Sequence, residues 1–123
     1  MSRVRNRDTD IEVSVRSQLH KLGLRFRKHV RSLPGSPDIV FVAAKVAVFV
    51  DGDFWHGYRF PSWRRKVSVF WRRKIQINRD RDRRNFAKLR RMGWKVIRVW
   101  QHSVTDNLAV VVARIQSAVA RRI

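Results

Sequence analysis

Three carboxylates flank two short apolar segments in the stretch LPGSPDIVFVAAKVAVFVDGDFWHG, residues 33–57. Asp38 begins the first segment, and Asp51 and Asp53 follow the second, in a chain with 9 acidic residues against 29 Lys and Arg. An antiparallel pair of strands joined by a tight turn would bring the start of the first beside the end of the second. Because Mg²⁺ binds carboxylates together with carbonyls, water and substrate phosphates, this grouping predicts a divalent-cation site. The alternative is that these aspartates form turns or pair with arginines.

One histidine and two aromatic residues follow these carboxylates directly. Of the 4 histidines in the chain, only His56 is expected beside the acidic residues, where an imidazole can act as a general base near neutral pH. A lone histidine can also be structural or lie on the surface. Phe54 and Trp55, together with Trp71, could stack on DNA bases or wedge between them. Spacing alone favours the other interpretation, in which these aromatics belong to the core.

A long helical pattern extends from about residue 67 to residue 92 and ends at Gly93. Six residues recur at the spacing of one helical face: Trp71, Ile75, Asn78, Asp82, Phe86 and Leu89. Asn78 and Asp82 interrupt this otherwise apolar face, and a buried carboxylate needs a partner. For Asp82 the partner could be a metal-bound water, a histidine or an arginine, and an arginine would make it an internal salt bridge.

The charge of the chain points to a polyanionic partner. Its formal net charge is +20, and a field of this size attracts nucleic acid and speeds the encounter. A basic structural protein, or a protein that binds anionic membranes, is the alternative. Residues 1–8 resemble a basic arm that contains Arg3 and Arg5. The second face of the long helix carries five arginines that could follow phosphates or be solvated, and the net charge favours the phosphate-following interpretation: Arg72, Arg73, Arg79, Arg83 and Arg90.

The remaining patterns predict a mixed sheet with helices on its faces. Thr9 and Glu12 form a capping box at the start of a first helix, which ends at Gly23. Apolar residues recur along that helix at Ile11, Val15, Leu19 and Leu22. The other predicted elements are a strand over 24–30, a hairpin of 38–44 and 45–52, a loop over 59–66, a strand over 94–100 and a last helix capped by Thr105. The order helix, three strands, helix, strand, helix indicates an α/β layered domain.

Length and composition narrow the class of protein. The 123 residues fit a single domain over 1–123, and the absence of cysteine excludes disulfides and thiolate-bound zinc. No run of about 18 apolar residues indicates a membrane span. The first residues lack the apolar segment of a secretory signal. We therefore expect a cytoplasmic protein, associated with the nucleoid if its partner is DNA.

Three motifs together resemble those of the very-short-patch-repair (Vsr) endonucleases, over roughly residues 3–102. They are PGxPDIVF, then FxxGxFWHG, then NxxRDRR followed by GWxVxxVW, in the order and spacing of the family. The resemblance implies a restriction-endonuclease-like core, related to the PD-(D/E)xK nucleases. It also implies a Mg²⁺-dependent enzyme that nicks one strand of DNA at a T·G mismatch.

The resemblance further implies roles for individual residues. Asp38 would hold the metal, and Val50 would supply a second ligand through its backbone carbonyl. His56 matches the catalytic histidine, while Glu12 and Asp82 match supporting acidic positions. The aromatics that would intercalate beside the mismatch are Phe54, Trp55 and Trp71. The other expected DNA contacts are Asn78, Arg72 and Arg79, with Arg3 and Arg5 of the basic arm lying along a groove.

Two features depart from the family pattern. The family has a structural zinc held by cysteines and a histidine, whereas Asp53, Tyr58 and His102 occupy or neighbour those positions here. We therefore predict that zinc is absent and that packing replaces it. Asp51 stands where the family has a histidine, directly before Gly52. It could act as an additional catalytic or metal-binding carboxylate, or it could alter the activity.

The sequence thus predicts a DNA endonuclease, and nicking at T·G mismatches in very short patch repair is its leading function. We expect a monomer that acts on double-stranded, mismatched DNA. One alternative is a Vsr-like nuclease with another specificity, such as a restriction or defence nuclease. A second alternative is a DNA-binding module that has lost catalysis, and the presence of Asp38, Glu12 and His56 argues against it.

Overall fold

The computed structural model describes residues 9–123, which fold as helices around one four-stranded sheet. The elements are α1 (Asp10–Lys21), β1 (Arg27–Lys28), β2 (Ile39–Phe41), β3 (Val46–Asp51), α2 (Phe60–Trp63), a 3₁₀ turn (Arg64–Lys66), α3 (Val69–Arg91), β4 (Lys95–Trp100), α4 (Gln101–Asp106) and α5 (Leu108–Arg121). The predicted basic arm over residues 1–8, with Arg3 and Arg5, lies outside the described residues. Within residues 9–123, no helix has the length and apolar character needed to cross a membrane.

The sheet has the order β1-β2-β3-β4 and mixes both strand directions. β2 and β3 form the predicted antiparallel hairpin, with Ile39 opposite Val48, whereas β3 and β4 are parallel. All residues of β2 and β3 are buried, because each strand has a neighbour on both edges and helices cover the sheet. The structure therefore confirms a mixed α/β layered arrangement with this hairpin at its centre.

The side chains of β3 alternate between two cores. The larger core lies against α1 and α5 and includes Val15, Leu19, Val46, Val48, Val50, Ile97 and Ile115. The smaller core lies under α3 and contains Ala47, Phe49, Phe86 and Leu89. Since side chains alternate along a strand, Asp51 at the end of β3 is directed to the face that α3 covers. In β4, Arg98 is paired with Phe49 in the register and lies on that same face.

The first helix begins and ends where its sequence predicts. The Thr9 side chain accepts a hydrogen bond from the Glu12 amide at 3.4 Å, as an N-cap residue does. The helix stops before Gly23, whose φ of +78° is easily adopted only by glycine. Val15 and Leu19 are fully buried. Leu22, the last residue of the predicted apolar spacing, caps the C-terminus of the helix and is 46% exposed.

Three local predictions are corrected by the structure. The strand expected over 24–30 is only two residues long, at the sheet edge. The loop expected over 59–66 is instead α2 and a 3₁₀ turn, because Pro61 fits the first turn of a helix. The last helix is not one helix capped by Thr105. It is broken at Asn107, whose side chain accepts from the Val110 amide at 3.3 Å and caps α5.

Gly57, which follows β3, packs closely against side chains of α3, and we expect its replacement to destabilise the protein. Its φ is +69°, and a Cβ there would lie 2.7 Å from Cδ of Arg79 and 2.9 Å from Cγ2 of the buried Ile75. Gly23 has a similar φ but nothing within 4 Å of its Cβ position. Gly23→Ala should therefore cost about 1 kcal/mol from backbone strain alone. Gly57→Ala should cost clearly more, because Ile75 must also move.

Urea unfolding of both variants beside the wild type measures this difference. Equal losses of unfolding free energy in Gly23→Ala and Gly57→Ala would show that the segment around Gly57 does not press on α3.

Candidate active site

The hairpin brings Asp38 to the end of β3, as its spacing predicts. The Asp38 carboxylate accepts a hydrogen bond from the Val50 amide at 2.7 Å through Oδ2, and the Asp38 amide donates to the Val48 carbonyl at 3.0 Å. The Asp38 carbonyl in turn accepts from the His29 amide at 3.0 Å. Asp38 is therefore fixed by backbone bonds on both sides and has little freedom to move.

Asp38 belongs to a first cluster with Glu12 of α1 and His29, which follows β1. One ligand atom from each of these residues lies within 4.8 Å of the others. The Glu12 Oε1 atom is 3.5 Å from Nε2 of His29 and 3.5 Å from Nη1 of Arg16. The Asp38 Oδ1 atom is 3.8 Å from Nδ1 of His29. Glu12, which the resemblance gives as a supporting acidic position, thus lies beside Asp38.

His29 was missed by the sequence analysis, which placed only His56 beside the acidic residues. That expectation is wrong, because β1 pairs with β2 and carries His29 to the start of β2. The available signal was the strand pattern of residues 24–30, whose antiparallel pairing with the next strand places its end opposite Asp38. His29 also has φ of +52°, an uncommon conformation for a residue other than glycine.

The electrostatics of Asp38 suit a divalent cation. Burial and, to a smaller extent, the neighbouring charges of Glu12 and Asp51 raise the pKa of Asp38 from 3.8 to about 8, against the opposing effects of the Val50 hydrogen bond and Arg16. A metal ion beside this carboxylate would offset the cost of its charge. Buried carboxylates with an imidazole nearby are a donor set that divalent cations accept. The residues present in this first cluster therefore fit a metal site.

A second cluster joins the end of β3 to α3 and β4 and contains Asp51, His56, Asp82 and Arg98. Asp82 Oδ2 lies 2.7 Å from Nδ1 of His56 and accepts from Nη2 of Arg98 at 2.6 Å. Asp51 Oδ2 accepts from Nε of Arg98 at 2.8 Å, and Asp51 Oδ1 is 3.5 Å from Nε2 of His56. The predicted buried carboxylate of α3 thus has both a histidine and an arginine as partners.

The two carboxylates of this second cluster differ in their ionisation. Burial raises the pKa of Asp51, in spite of the nearby His56 and Arg98. Burial also acts to raise the pKa of Asp82, but its hydrogen bonds and charge interactions with His56 and Arg98 outweigh this and lower it. Because an ionised Asp82 can only accept, Nδ1 of His56 carries the proton. The Nε2 atom is then the end of the ring left for chemistry.

The second cluster is partly open to solvent at His56 and at Arg98, whose side chain is 23% exposed. The His56 side chain is 26% exposed, whereas those of Asp51 and Asp82 are 7% and 11% exposed. Asp51 also contributes to the electrostatic environment of Asp38, so the two clusters adjoin. A phosphate placed between Asp38 and His56 would therefore meet a metal site on one side and an imidazole on the other.

Arg98 is a second site residue that the sequence analysis missed. Its carbon Cζ lies 4.2 Å from the centre of the Trp100 ring and 5.0 Å from that of Phe86. The available signal was the position of one arginine within the apolar strand WKVIRVW, on the face shared with Trp94, Val96 and Trp100. Alternation along the strand predicts that this face is covered, and a covered arginine needs acidic partners.

The aromatic residues after β3 form a surface cluster rather than part of either core. Phe54 is 40% exposed, and its ring centre lies 5.2 Å from Trp55, 5.5 Å from Trp63 and 6.3 Å from Trp71. Asn78 holds this segment by donating from Nδ2 to the Trp55 carbonyl at 2.8 Å. The arrangement favours the interpretation in which these rings contact a ligand, and it gives Asn78 a supporting place under them.

Asp53 and His102 meet on another side of the same segment. Asp53 Oδ1 lies 3.0 Å from Nδ1 of His102, and the ring of Tyr58 packs at 4.3 Å from the His102 ring and 5.0 Å from Trp100. The carboxylate, the imidazole and the two aromatic rings connect the segment directly to the end of β4. The segment that contains Asp53 and Tyr58 is thus held against Trp100 and His102 by ring packing and by the Asp53–His102 hydrogen bond.

The arginines of α3 differ in exposure. Arg73, Arg83 and Arg90 are exposed, whereas Arg72 and Arg79 are half-buried. The Arg79 guanidinium lies over the Phe60 ring at 5.5 Å from its centre. Arg79 therefore packs against α2 and is only partly exposed. The five arginines predicted to follow phosphates thus differ in how much of each side chain DNA could reach.

Comparison with known proteins relates this chain to nucleases. Residues 1–62 match the family described as DNA mismatch endonuclease Vsr. The type II nicking enzyme V.XorIIP of Xanthomonas oryzae pv. oryzae is 43% identical over 119 residues, which cover 95% of this chain and 87% of that protein. The type II nicking enzyme V.HpaIIP of Haemophilus parainfluenzae is 37% identical over 96% of this chain and 86% of its own length. The DNA mismatch endonuclease Vsr of Escherichia coli is 39% identical over 82% of this chain and 66% of its own length.

Replacing Asp38 by asparagine should stabilise the protein in the absence of metal, by an amount that grows with pH. With a pKa raised from 3.8 to about 8, folded Asp38 keeps a proton that the unfolded chain has lost. The stability that this proton contributes is complete below pH 3.8 and is lost as the pH rises to about 8. Asparagine resembles the protonated carboxyl and does not titrate.

Thermal unfolding in a chelator, from pH 4 to pH 9, tests this expectation. The midpoint of Asp38→Asn should exceed that of the wild type by a margin that widens with pH, and Asp106→Asn, at an exposed position, is the control. A margin that stays constant, or one that narrows towards high pH, would contradict the burial of a charge at Asp38.

Proposed function

The chain belongs to the Vsr family of DNA mismatch endonucleases, and we propose that it nicks one strand of duplex DNA at T·G mismatches with the help of Mg²⁺. Membership makes it a DNA endonuclease. The observation that supports the proposed reaction is the meeting of two buried clusters at the end of the central hairpin. Asp38 belongs to one cluster, and His56 of the other directly follows Trp55 of the partly exposed aromatic cluster, in a chain with net charge +20.

Asp38 is the residue that we propose to hold the metal, with Glu12 close behind it and the Val50 carbonyl as a further ligand. A bound divalent cation would stabilise charge on the phosphate and lower the pKa of a coordinated water. His56 would exchange a proton through Nε2, because Asp82 holds Nδ1 at 2.7 Å. Asp82 thereby fixes both the tautomer and the direction of the ring.

The aromatic cluster gives this site a means of recognising distorted DNA. The rings of Phe54, Trp55 and Trp71 are close to one another and lie partly in solvent, so they can enter a base step without unfolding a core. A mismatched step is the least costly to open. The basic side chains of α3, Arg72 and Arg79 among them, would hold the phosphates on either side. Arg3 and Arg5 of the arm are proposed to lie along a groove.

A second candidate is a Vsr-like nuclease with another specificity. It is favoured by Asp51, which stands where the family has a histidine, and by the Asp53–His102 pair near the family's zinc position. Several relatives are named type II nicking enzymes rather than mismatch endonucleases. Loss of catalysis is the least favoured alternative, because Asp38, His56 and Asp82 keep an ordered arrangement.

Further expectations from the sequence remain proposals. We propose that the layered sheet is the restriction-endonuclease-like core of the family, in one domain over 1–123. We also propose that the enzyme acts as a monomer in the cytoplasm, at the nucleoid. The absence of zinc stays a prediction, in which the contacts of Asp53, Tyr58 and His102 replace the metal.

Cleavage of labelled duplexes is the direct test of the proposed function. With Mg²⁺, the wild type should nick one strand of a duplex containing a single T·G mismatch and leave the matched duplex intact. Asp38→Ala should lose about 10³-fold or more in nicking rate, because a metal site is worth several kcal/mol of transition-state stabilisation. Binding to the same duplex should survive, since arginines supply the phosphate contacts.

Asp106→Ala, at an exposed carboxylate away from both clusters, is the matched control for lost negative charge. Equal cleavage of matched and mismatched duplexes would contradict the proposed mismatch specificity and favour a Vsr-like nuclease with another specificity. Full activity of Asp38→Ala would remove the metal assignment.

Substitution of the aromatic residues and substitution of the basic residues should impair different properties of DNA binding. Phe54→Ala or Trp55→Ala should reduce discrimination for the mismatch and leave the salt dependence of binding unchanged, because stacking carries no charge. Arg72→Ala with Arg79→Ala should flatten the log–log salt slope by about 0.9 for each lost phosphate contact. Binding isotherms at several salt concentrations measure both quantities.

Arg121→Ala is the control for the basic residues, because α5 lies against the core on the opposite side of the sheet from α3. If the aromatic variants lose all DNA binding together with their folded structure, the rings are core residues and the intercalation carried over from the family does not apply.

A further inference from the structure

We propose that Arg98 is a positioning residue of the nuclease site, which fixes the His56 ring by holding Asp51 and Asp82 on its two sides. The positive charge of Arg98 would also take the place of a metal ion between Asp51, His56 and Asp82. The inference rests on the proposed role of His56 in strand cleavage. It assigns Asp51 to the histidine rather than to the metal.

The guanidinium of Arg98 contacts the two carboxylates through different nitrogens. Nε donates to Asp51 Oδ2 at 2.8 Å, and Nη2 donates to Asp82 Oδ2 at 2.6 Å. A guanidinium is planar and rigid, so these two bonds set the separation and orientation of the carboxylates. His56 lies between the same two groups, 2.7 Å from Asp82 and 3.5 Å from Asp51.

Both ring nitrogens of His56 therefore face carboxylates that depend on Arg98. Rotation of the imidazole would break the bond from Nδ1 to Asp82 and move Nε2 away from Asp51. Without Arg98, two carboxylates with buried oxygens would face one another across the ring, and their repulsion would favour separation. The direction of Nε2, the ring nitrogen that we propose to exchange a proton, would then no longer be fixed.

Arg98 itself is held from two sides. Its guanidinium lies 4.2 Å from the centre of the Trp100 ring and 5.0 Å from that of Phe86, in contacts that favour a flat cation. Its backbone belongs to the β4 ladder, opposite Phe49 of β3. A lysine could not reproduce this arrangement, because a single ammonium neither stacks in the same way nor bridges two carboxylates with fixed geometry.

The two carboxylate clusters also differ in whether their carboxylate oxygens already accept hydrogen bonds from a cation. In the second cluster, the Oδ2 atoms of Asp51 and Asp82 already accept from the same cation. A metal ion there would have to displace a guanidinium held by two hydrogen bonds and two aromatic rings. In the first cluster, Asp38 keeps Oδ1 directed towards His29 at 3.8 Å, too long for a hydrogen bond. Metal binding is therefore assigned to Asp38 and imidazole positioning to Asp51.

The test uses Arg98→Met, Arg98→Lys and the double variant Arg98→Met with Asp51→Asn. The double variant removes the cation together with one buried carboxylate, so it should fold even if Arg98→Met alone does not. We expect the folded variants to lose about 100-fold in the nicking rate at saturating DNA, with DNA affinity within about twofold of the wild type, because a misdirected group lowers turnover rather than binding. Arg98→Lys should not restore the rate.

Nuclear magnetic resonance of the histidine side chains supplies a readout that does not depend on the DNA substrate. In the wild type, His56 should show one ring conformation with a protected Nδ1 proton, and the double variant should lose that protection or show several conformations. Arg114→Met is the matched control, since Arg114 donates to the Arg98 carbonyl at 3.1 Å and touches neither carboxylate. This control should keep both the rate and the spectrum.

Binding of Mn²⁺, followed by electron paramagnetic resonance, separates the two clusters. Asp38→Asn should abolish Mn²⁺ binding, and Asp51→Asn should leave it unchanged. A folded double variant with the wild-type nicking rate and His56 spectrum would overturn the proposal, as would loss of Mn²⁺ binding in Asp51→Asn. If the wild type fails to nick T·G mismatches while the spectra and Mn²⁺ binding follow these expectations, the proposed specificity fails and the role of Arg98 stands.

Discussion

The burial of carboxylates at the end of the central hairpin is the constraint on which the rest of this site depends. An isolated buried charge costs several kcal/mol, so each carboxylate must have a cation, a hydrogen-bond donor or a proton. Asp82 and Asp51 share Arg98 and His56. Asp38 accepts one hydrogen bond from an amide, and its pKa is raised to about 8, so much of the cost of its charge is not offset by its neighbours. This uneven compensation separates a site that can take a metal from one that orients an imidazole.

The topology of the sheet explains why two clusters adjoin. β3 has an antiparallel neighbour on one side and a parallel neighbour on the other, and its last residue is Asp51. The antiparallel partner brings Asp38, from the far end of the hairpin, back to Val50. The parallel partner brings Arg98 alongside, after α3 has crossed the face of the sheet and delivered Asp82. Both clusters therefore meet where one strand ends, and a change in register on either side would separate them.

The segment after β3 joins the chemistry to the aromatic surface. It begins after Asp51, the last residue of β3, and carries His56 of the second cluster together with Phe54 and Trp55 of the aromatic cluster. Asn78 holds the Trp55 carbonyl, while Asp82, one turn further along α3, holds His56. One helix thus positions both the rings that can contact DNA and the imidazole that would act on it.

The sequence alone determined the layered α/β class, the hairpin, the first helix with its Thr9 cap, and the closeness of Asp38 to Val50. These features follow from local patterns, since alternation, capping residues and tight turns act over a few residues. The tertiary structure alone decided that His29 joins Glu12 and Asp38, and that Arg98 holds Asp51 and Asp82. It also decided that α5 begins after Asn107 rather than at Thr105. The physical reason is that these contacts join residues from separate elements, 16 and 47 positions apart for Arg98. Alternation along β4 indicates that Arg98 lies on a covered face of the sheet, but only the packing of α3 on β4 decides that its partners are these two carboxylates.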